Sequence, residues 1–225
     1  MKLNKNISLY KIMRVDLRKV SIFLLMIFLL LLIRFIKKNS LPFLFIHVPK
    51  TGGNAIKTTR LFHESIFFGH ASIRDVIAWG KKYKTSYTIV RNPYDRLVSA
   101  FFYLQQGGEK NNKRDLQRMK KQQKYKSFKE FVKNLHEFIE ETHYKPQYTF
   151  LTDNNNKLKV AHILKQESLN DDYIKLQQLY GYSPISLSKV NTSKHEDYNQ
   201  YYDDETRRTV QEVYRKDFEI LNYKM

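Results

Sequence analysis

Residues 41–53 read LPFLFIHVPKTGG, an apolar run bounded by Pro42 and Pro49 and followed at once by a lysine, a threonine and two glycines. The apolar run predicts a buried first strand, and the glycines open a helical stretch to about Phe62. A strand that ends in a tight glycine turn and enters a helix presents backbone N–H groups and the positive helix end to its guest, so an anion is expected there. Lys50 adds a point charge, Thr51 a hydroxyl donor, and Gly52 with Gly53 allows close backbone approach. The order is reversed relative to a Walker loop, in which glycine-lysine-serine/threonine closes the motif. Taken alone, PKTGG also fits an ordinary surface turn.

The next junction changes that reading. SYTIV (86–90) is rich in aromatic and β-branched residues and predicts a strand. RNPYDRLVSAFFYLQQ (91–106) follows it with an Asn-Pro turn, a proline near the helix start and an apolar stripe at Leu97, Ala100, Phe101 and Leu104. Arg91 at the strand end can grip a phosphate with two N–H groups, and Ser99, two turns after Pro93, can donate to the same group. Two anion sites on neighbouring strand ends imply a ligand with phosphates at both ends. A helix around SIRDVIAWGKKY (72–83) lies between the junctions. Strand, turn and helix thus occur twice, the punctuation of βαβ units and a parallel sheet.

Further along, residues 107–126 are polar and lysine-rich, a loop or a helix exposed all round. SFKEFVKNLHEFIEE (127–141) regains amphipathic spacing at Phe128, Phe131, Leu135 and Phe138, with Ser127 and Glu130 as a capping box. KVAHILK (159–165) is a candidate third strand. SLNDDYIKLQQLYGY is a helix closed near Gly181, and DDETRRTVQEVYRKDFEIL a terminal helix.

The chain of 225 residues is 42% hydrophobic, enough for one core, and its formal charge of +18 points to anionic partners. Cysteine is absent, which removes disulfides, thiolate metal sites and thiol catalysis. Residues 20–36 form an apolar run interrupted only by Arg34, about 17 residues, the lower limit for a membrane span. A buried helix or a cleaved signal peptide are the other readings, but no small-residue cleavage pattern follows. Six cations precede Val20, and three, Arg34, Lys37 and Lys38, follow Ile33, which predicts an amino terminus in the cytoplasm and the remainder across the membrane. The expected layout is a basic tail (1–19), a signal anchor (20–36), a spacer (37–41) and a catalytic domain (42–225).

The two junctions, FIHVPKTGGNAI and IVRNPYDRLVSAFFY, resemble the 5′-phosphosulfate loop and the 3′-phosphate motif of the membrane-bound carbohydrate sulfotransferases. That group includes the heparan sulfate 2-O- and chondroitin 4-O-sulfotransferases. The likeness continues through GHASI, HYKPQYTFL, ILKQESLNDDY, VNTSKH and the terminal helix, in family order. It implies a P-loop-like three-layer α/β fold and 3′-phosphoadenosine-5′-phosphosulfate as sulfonate donor, with no metal. It also implies a glycan acceptor, no nucleic-acid partner and a type II membrane protein of a Golgi-like lumen; the lysine-rich stretch points to an acceptor that is anionic. The roles it carries over put Lys50 at the bridging oxygen between phosphate and sulfonate, and Thr51, Gly52, Gly53 and Asn54 at the 5′-phosphate. Arg91 and Ser99 fall at the 3′-phosphate, and Asn191 and Ser193 near the nucleotide.

His70 is the candidate base, matching a catalytic histidine in a Gly-His segment; Phe68 stands where some 2-O-sulfotransferases carry a further histidine. A solvent-exposed turn histidine is the plain alternative. His143 matches a motif on the acceptor side, or serves a structural hydrogen bond. His47 reads as packing, and His136 lacks the second histidine of a zinc-protease helix. The lysine-rich stretch, with Lys120, Lys121 and Lys124, is either a solvated surface or an acceptor-binding one. A nucleotide-dependent kinase on the same fold and a non-catalytic, membrane-tethered polyanion binder are the competing functions.

Overall fold

The computed structural model describes residues 22, 24–29, 41–109, 112–187 and 196–225. The chain divides into two compact units, Met1–Leu41 and Pro42–Met225. In the first, residues 22 and 24–29 are helical with their apolar side chains exposed. The remainder of the expected span, and the basic tail, lie outside the described residues. Among the described residues no helix is long and apolar enough to cross a membrane.

The second unit is an α/β domain around one parallel sheet. Strands β1 (Phe43–Ile46), β2 (Ser65–Ile66), β3 (Ser86–Val90) and β4 (His162–Lys165) lie in the order β2-β1-β3-β4. Every neighbouring pair is parallel. Strand periodicity assigns the faces. Phe43, Phe45, Tyr87, Ile89 and Leu164 pack with Leu169, Tyr173 and Leu176 of a long helix, and with Ile56 and Leu61. Leu44, Ile46 and Val90 pack with Ile73, Val76, Phe150 and Leu151. Helices therefore cover both faces, and burial of each such side chain contributes about 1.5–3 kcal/mol. A third, aromatic-rich cluster joins Leu97, Phe101 and Leu104 to Phe128, Phe131, Phe138, Tyr144, Tyr214 and Phe218.

The helices are α1 (Arg60–His63), α2 (Ile73–Ala78), α3 (Pro93–Gln105), α4 (Lys113–Gln122), α5 (Phe128–Lys133), α6 (Tyr148–Leu151), α7 (Leu169–Leu179), α8 (Asp204–Val213) and α9 (Arg215–Ile220). Four of them or their caps correct the sequence reading. The helix expected from Gly53 to Phe62 is a single 3₁₀ turn, Gly53–Ile56, and then α1. Thr59 takes extended geometry between them, and its side chain caps α1 at the Phe62 N–H. The lysine-rich stretch contains α4, a helix whose buried positions are the polar Asp115 and Gln122. At α5, Ser127 accepts from the Glu130 N–H, while the Glu130 carboxylate takes the Lys126 N–H, so the capping box is half formed. The terminal helix breaks at Tyr214, whose buried hydroxyl donates to the Tyr144 carbonyl at 2.6 Å. Strand β2 was not expected.

Topology fixes where a ligand goes. The chain leaves β1 for β2 on one side and β3 for β4 on the other, so the order reverses between β1 and β3. Ile46 lies opposite Thr88, which brings the carboxyl ends of both strands out side by side. A crevice at such a reversal is the usual ligand site of an open α/β sheet.

Candidate active site

That crevice is a cleft of about 900 Å³, lined by Lys50, Gly52, Gly53 and Asn54 from the first junction and by Arg91 and Ser99 from the second. His70 and His143 line it as well. The first loop owes its shape to backbone geometry that sequence only partly announces. Gly52 sits at φ +85°, a value glycine adopts freely. A Cβ at Gly53 would lie 2.5 Å from His47 Nε2, so only glycine lets the loop pass over that ring. Lys50 itself is left-handed, φ +66°, which costs a non-glycine residue about 1–2 kcal/mol. Strain of this kind concentrates at functional sites. Thr51 does not serve as a ligand hydroxyl here: it is fully buried, is absent from the cleft lining, and donates to the Val48 carbonyl at 2.9 Å. Its side chain ties the loop shut from beneath.

The second junction is held by paired polar groups. Arg91 is bidentate to Asp95, at 2.7 and 2.8 Å, and reaches the Lys50 carbonyl at 3.3 Å. Of five guanidinium N–H groups, these bonds use three, and two remain for an anion. The Gln147 side chain pairs with both the N–H and the C=O of Arg91, and Asp217 accepts from the N–H groups of Gln147 and Tyr148. Asp217 is fully buried, and burial raises its pKa to about 6. The amino end of α3 is already served, because Asn92 accepts from the Tyr94 N–H and Glu167 accepts from the Asn92 N–H. An anion at this junction therefore meets the side chains of Arg91 and Ser99 rather than the helix end.

Arg96, 2% exposed, joins the junctions. It donates to the Pro49 carbonyl at 3.0 Å and to the carbonyls of His143 and Lys145 at 3.2 and 2.8 Å. One planar fork thus fixes the strand end before Lys50 and the segment bearing His143.

Three histidine rings meet at the cleft. His70 lies 4.7 Å from His47 and 6.4 Å from His143 between ring centroids. The Nδ1 of His70 is 2.9 Å from the His47 carbonyl oxygen. A carbonyl only accepts, so Nδ1 carries the proton and Nε2 of the neutral ring carries the lone pair. Desolvation lowers the His70 pKa, partly opposed by that hydrogen bond, so the ring is neutral at physiological pH. Burial lowers His47 to about 3, and among the described residues its Nδ1 has no hydrogen-bond partner, in keeping with a packing role against Phe45. Burial also lowers His143, against the pull of Asp115, whose Oδ1 is 3.9 Å from Nδ1.

The Lys50 ammonium lies 3.7 Å above the Tyr103 ring centroid, within the range of a cation–π contact, and the Tyr103 ring is itself 5.2 Å from His143. Burial and then Arg91 lower the Lys50 pKa to about 8, while Asp115 opposes them. The Tyr103 hydroxyl donates to Asp115 at 2.8 Å. Burial alone would raise the pKa of Asp115, but bonds from the Glu109 N–H, Tyr103 and Arg118 hold it low. Gly108, at φ +69°, leaves room for this carboxylate, since a Cβ there would come within 2.5 Å of the Asp115 Cβ.

Lys120, Lys121 and Lys124 do not line the cleft. Lys121 donates to the Glu137 carbonyl at 2.7 Å, Lys124 pairs with the Glu137 carboxylate, and Lys120 is exposed. Asn191 and Ser193 lie outside the described residues. No cluster of three or more His, Asp or Glu able to hold a metal occurs among the described residues. Sequence reasoning missed Arg96, Tyr103, Asp115, Gln147 and Asp217. A signal existed for the first two: Arg96, Ala100 and Tyr103 share one α3 face at helical spacing, beside the apolar stripe.

A scan against models of known protein families matches residues 34–224 to the sulfotransferase family. No curated protein and no solved structure matches the chain.

Proposed function

The chain belongs to the sulfotransferase family, and we propose that it moves the sulfonate group of 3′-phosphoadenosine-5′-phosphosulfate to a hydroxyl of an anionic glycan on a P-loop-like three-layer scaffold. The observation that carries this reading is the meeting of Lys50, Arg91, Ser99 and His70 in one cleft. Gly52, Gly53 and Asn54 receive the 5′ end of the donor. Arg91, through its two uncommitted N–H groups, and Ser99 receive the 3′-phosphate. The acceptor oxygen forms a bond to sulfur as the bond between sulfur and the 5′-phosphate oxygen breaks. His70 Nε2 takes the hydroxyl proton. The electron pair leaves on the phosphate oxygen, where the Lys50 ammonium stabilises the growing charge. The products are a sulfate ester and adenosine 3′,5′-bisphosphate. With a pKa of about 8, Lys50 is mostly protonated at pH 7. The apolar run 20–36 behind its basic tail leads us to place this domain across a membrane, in a Golgi-like lumen.

Lys50→Ala tests the assignment. We expect kcat to fall by about a hundredfold or more, because the ammonium acts on charge that develops during transfer. Affinity for the bisphosphate should change by only a few-fold. Retention of more than about a tenth of wild-type kcat contradicts the role.

A further inference from the structure

A second groove, of about 290 Å³, opens beside the cleft, and among the described residues His70 alone lines both. Its other walls are the start of α2, with Arg74 and Asp75, and residues 140–150, with Glu140, Thr142 and Lys145. The volume is at the small end of the range for ligand sites, roughly 300–1,000 Å³, which suits one unit of a longer chain.

The charges in this groove are not equally committed. Asp75 accepts from the Ser72 N–H and hydroxyl, both at 2.7 Å, and is spent on the cap of α2. Glu140 and Lys145 pair at 3.1 Å, but their side chains are 84% and 36% exposed, so the pair is weak and exchangeable. Arg74 differs from both. Its fork is held by the Asn154 side-chain oxygen and the Thr149 carbonyl, each at 3.2 Å, and among the described residues it has no carboxylate partner. A guanidinium fixed by neutral acceptors keeps three N–H groups and its full charge for an incoming anion. Thr142 accepts from Arg118 at 3.3 Å and retains its own O–H to donate.

We propose that this groove, and not the lysine-rich helix α4, is the acceptor subsite: Arg74, assisted by Lys145, binds the acidic group of a carboxylate- or sulfate-bearing sugar whose hydroxyl lies at His70. The inference rests on the sulfonate-transfer reading, since it uses His70 as the base. It places the acceptor in the groove that shares His70 with the donor cleft, and it gives the glycan a reason to be acidic that the +18 overall charge alone does not.

The test is direct binding to the full-length protein saturated with adenosine 3′,5′-bisphosphate. The probes are an unsulfated chondroitin hexasaccharide, the same oligosaccharide after carboxyl reduction, and a sulfated, carboxyl-reduced one. The wild type should bind at least one acidic probe and discriminate against the neutral one; which acidic probe it prefers tells carboxylate from sulfate recognition. Arg74→Gln should weaken that binding by about tenfold to a hundredfold and abolish the discrimination. Lys145→Gln should weaken it less, and Glu140→Gln, which frees Lys145, should tighten it. Bisphosphate affinity should be the same in all three variants. Equal binding of acidic and neutral probes, or an unchanged Arg74→Gln protein, overturns the proposal. So does a loss caused by Lys120→Gln in place of Arg74→Gln. A wild type that binds bisphosphate and neither acidic probe refutes the groove alone, whereas failure to bind bisphosphate removes the donor reading and the groove with it.

Discussion

Replacing Arg96 by methionine separates bracing from mere burial. Methionine keeps the volume of the side-chain stem, so the change removes a fork rather than opening a cavity. Three carbonyls, those of Pro49, His143 and Lys145, lose their donor. Each buried, unsatisfied group costs about 1–3 kcal/mol, but removing a charge that is 2% exposed returns part of its desolvation cost. The net expectation is a loss of about 2–4 kcal/mol in urea unfolding. Because the fork joins the strand end before Lys50 to the His143 segment, the folded variant should also bind adenosine 3′,5′-bisphosphate about tenfold more weakly. Arg96→Lys keeps the charge as a compact ammonium that cannot span both segments, and should lie between the two. Wild-type stability in Arg96→Met, or lost stability with unchanged bisphosphate affinity and kcat, would falsify the bracing role.

For His70, Asn can restore the hydrogen bond to the His47 carbonyl but supplies no base, so His70→Asn and His70→Ala should both depress kcat by about a hundredfold and leave donor affinity near wild type. The wild-type rate should fall as pH drops through the His70 pKa, which lies below the ordinary 6.5; a rate that shows no fall on acidification while the protein stays folded points to another base. For Asp217, the folded pKa is raised from 3.8 to about 6, so the folded state binds the proton more tightly. Its contribution to stability is complete below pH 3.8 and is lost as pH rises through about 6. At about 1.4 kcal/mol per pH unit, the stability of the wild type relative to Asp217→Asn should decline by roughly 2–2.5 kcal/mol between pH 4 and 7. A constant difference across that range means that the carboxylate is not desolvated as its burial implies.

The elements that sequence revealed are those whose reason to form is local and apolar. SYTIV became β3 residue for residue, and the stripe Leu97, Ala100, Phe101 and Leu104 is buried as its spacing predicts. Strand β2 has two residues and exists because Phe43 and Leu44 pair with Ser65 and Ile66, a contact with no pattern of its own. Loop and helix both stayed open for α4 for a related reason: its inward groups are polar, Asp115 accepting from Tyr103 and Gln122 donating to the Phe101 carbonyl at 3.0 Å. Hydrophobic periodicity has nothing to register there. The same division runs through the site. Lys50 and Arg91 stand in motifs that announce an anion, whereas Gln147 holds Arg91 across 56 residues of chain, Asp217 holds Gln147 across 70, and both become visible only when folded. Thr51 is the instructive case, since its hydroxyl is where an anion loop would place one and yet serves the Val48 carbonyl.

Calorimetric titration of the purified protein with adenosine 3′,5′-bisphosphate and with ATP, each in EDTA and in Mg²⁺, bears most directly on sulfonate transfer as the function of this cleft. Binding of the bisphosphate that is undiminished in EDTA, weakened in Arg91→Ala and not displaced by Mg²⁺–ATP is the outcome required by a pair of junctions that hold a 3′- and a 5′-phosphate. Tighter binding of ATP that depends on Mg²⁺, with no measurable heat from the bisphosphate, contradicts the account and makes the protein a kinase on a related scaffold.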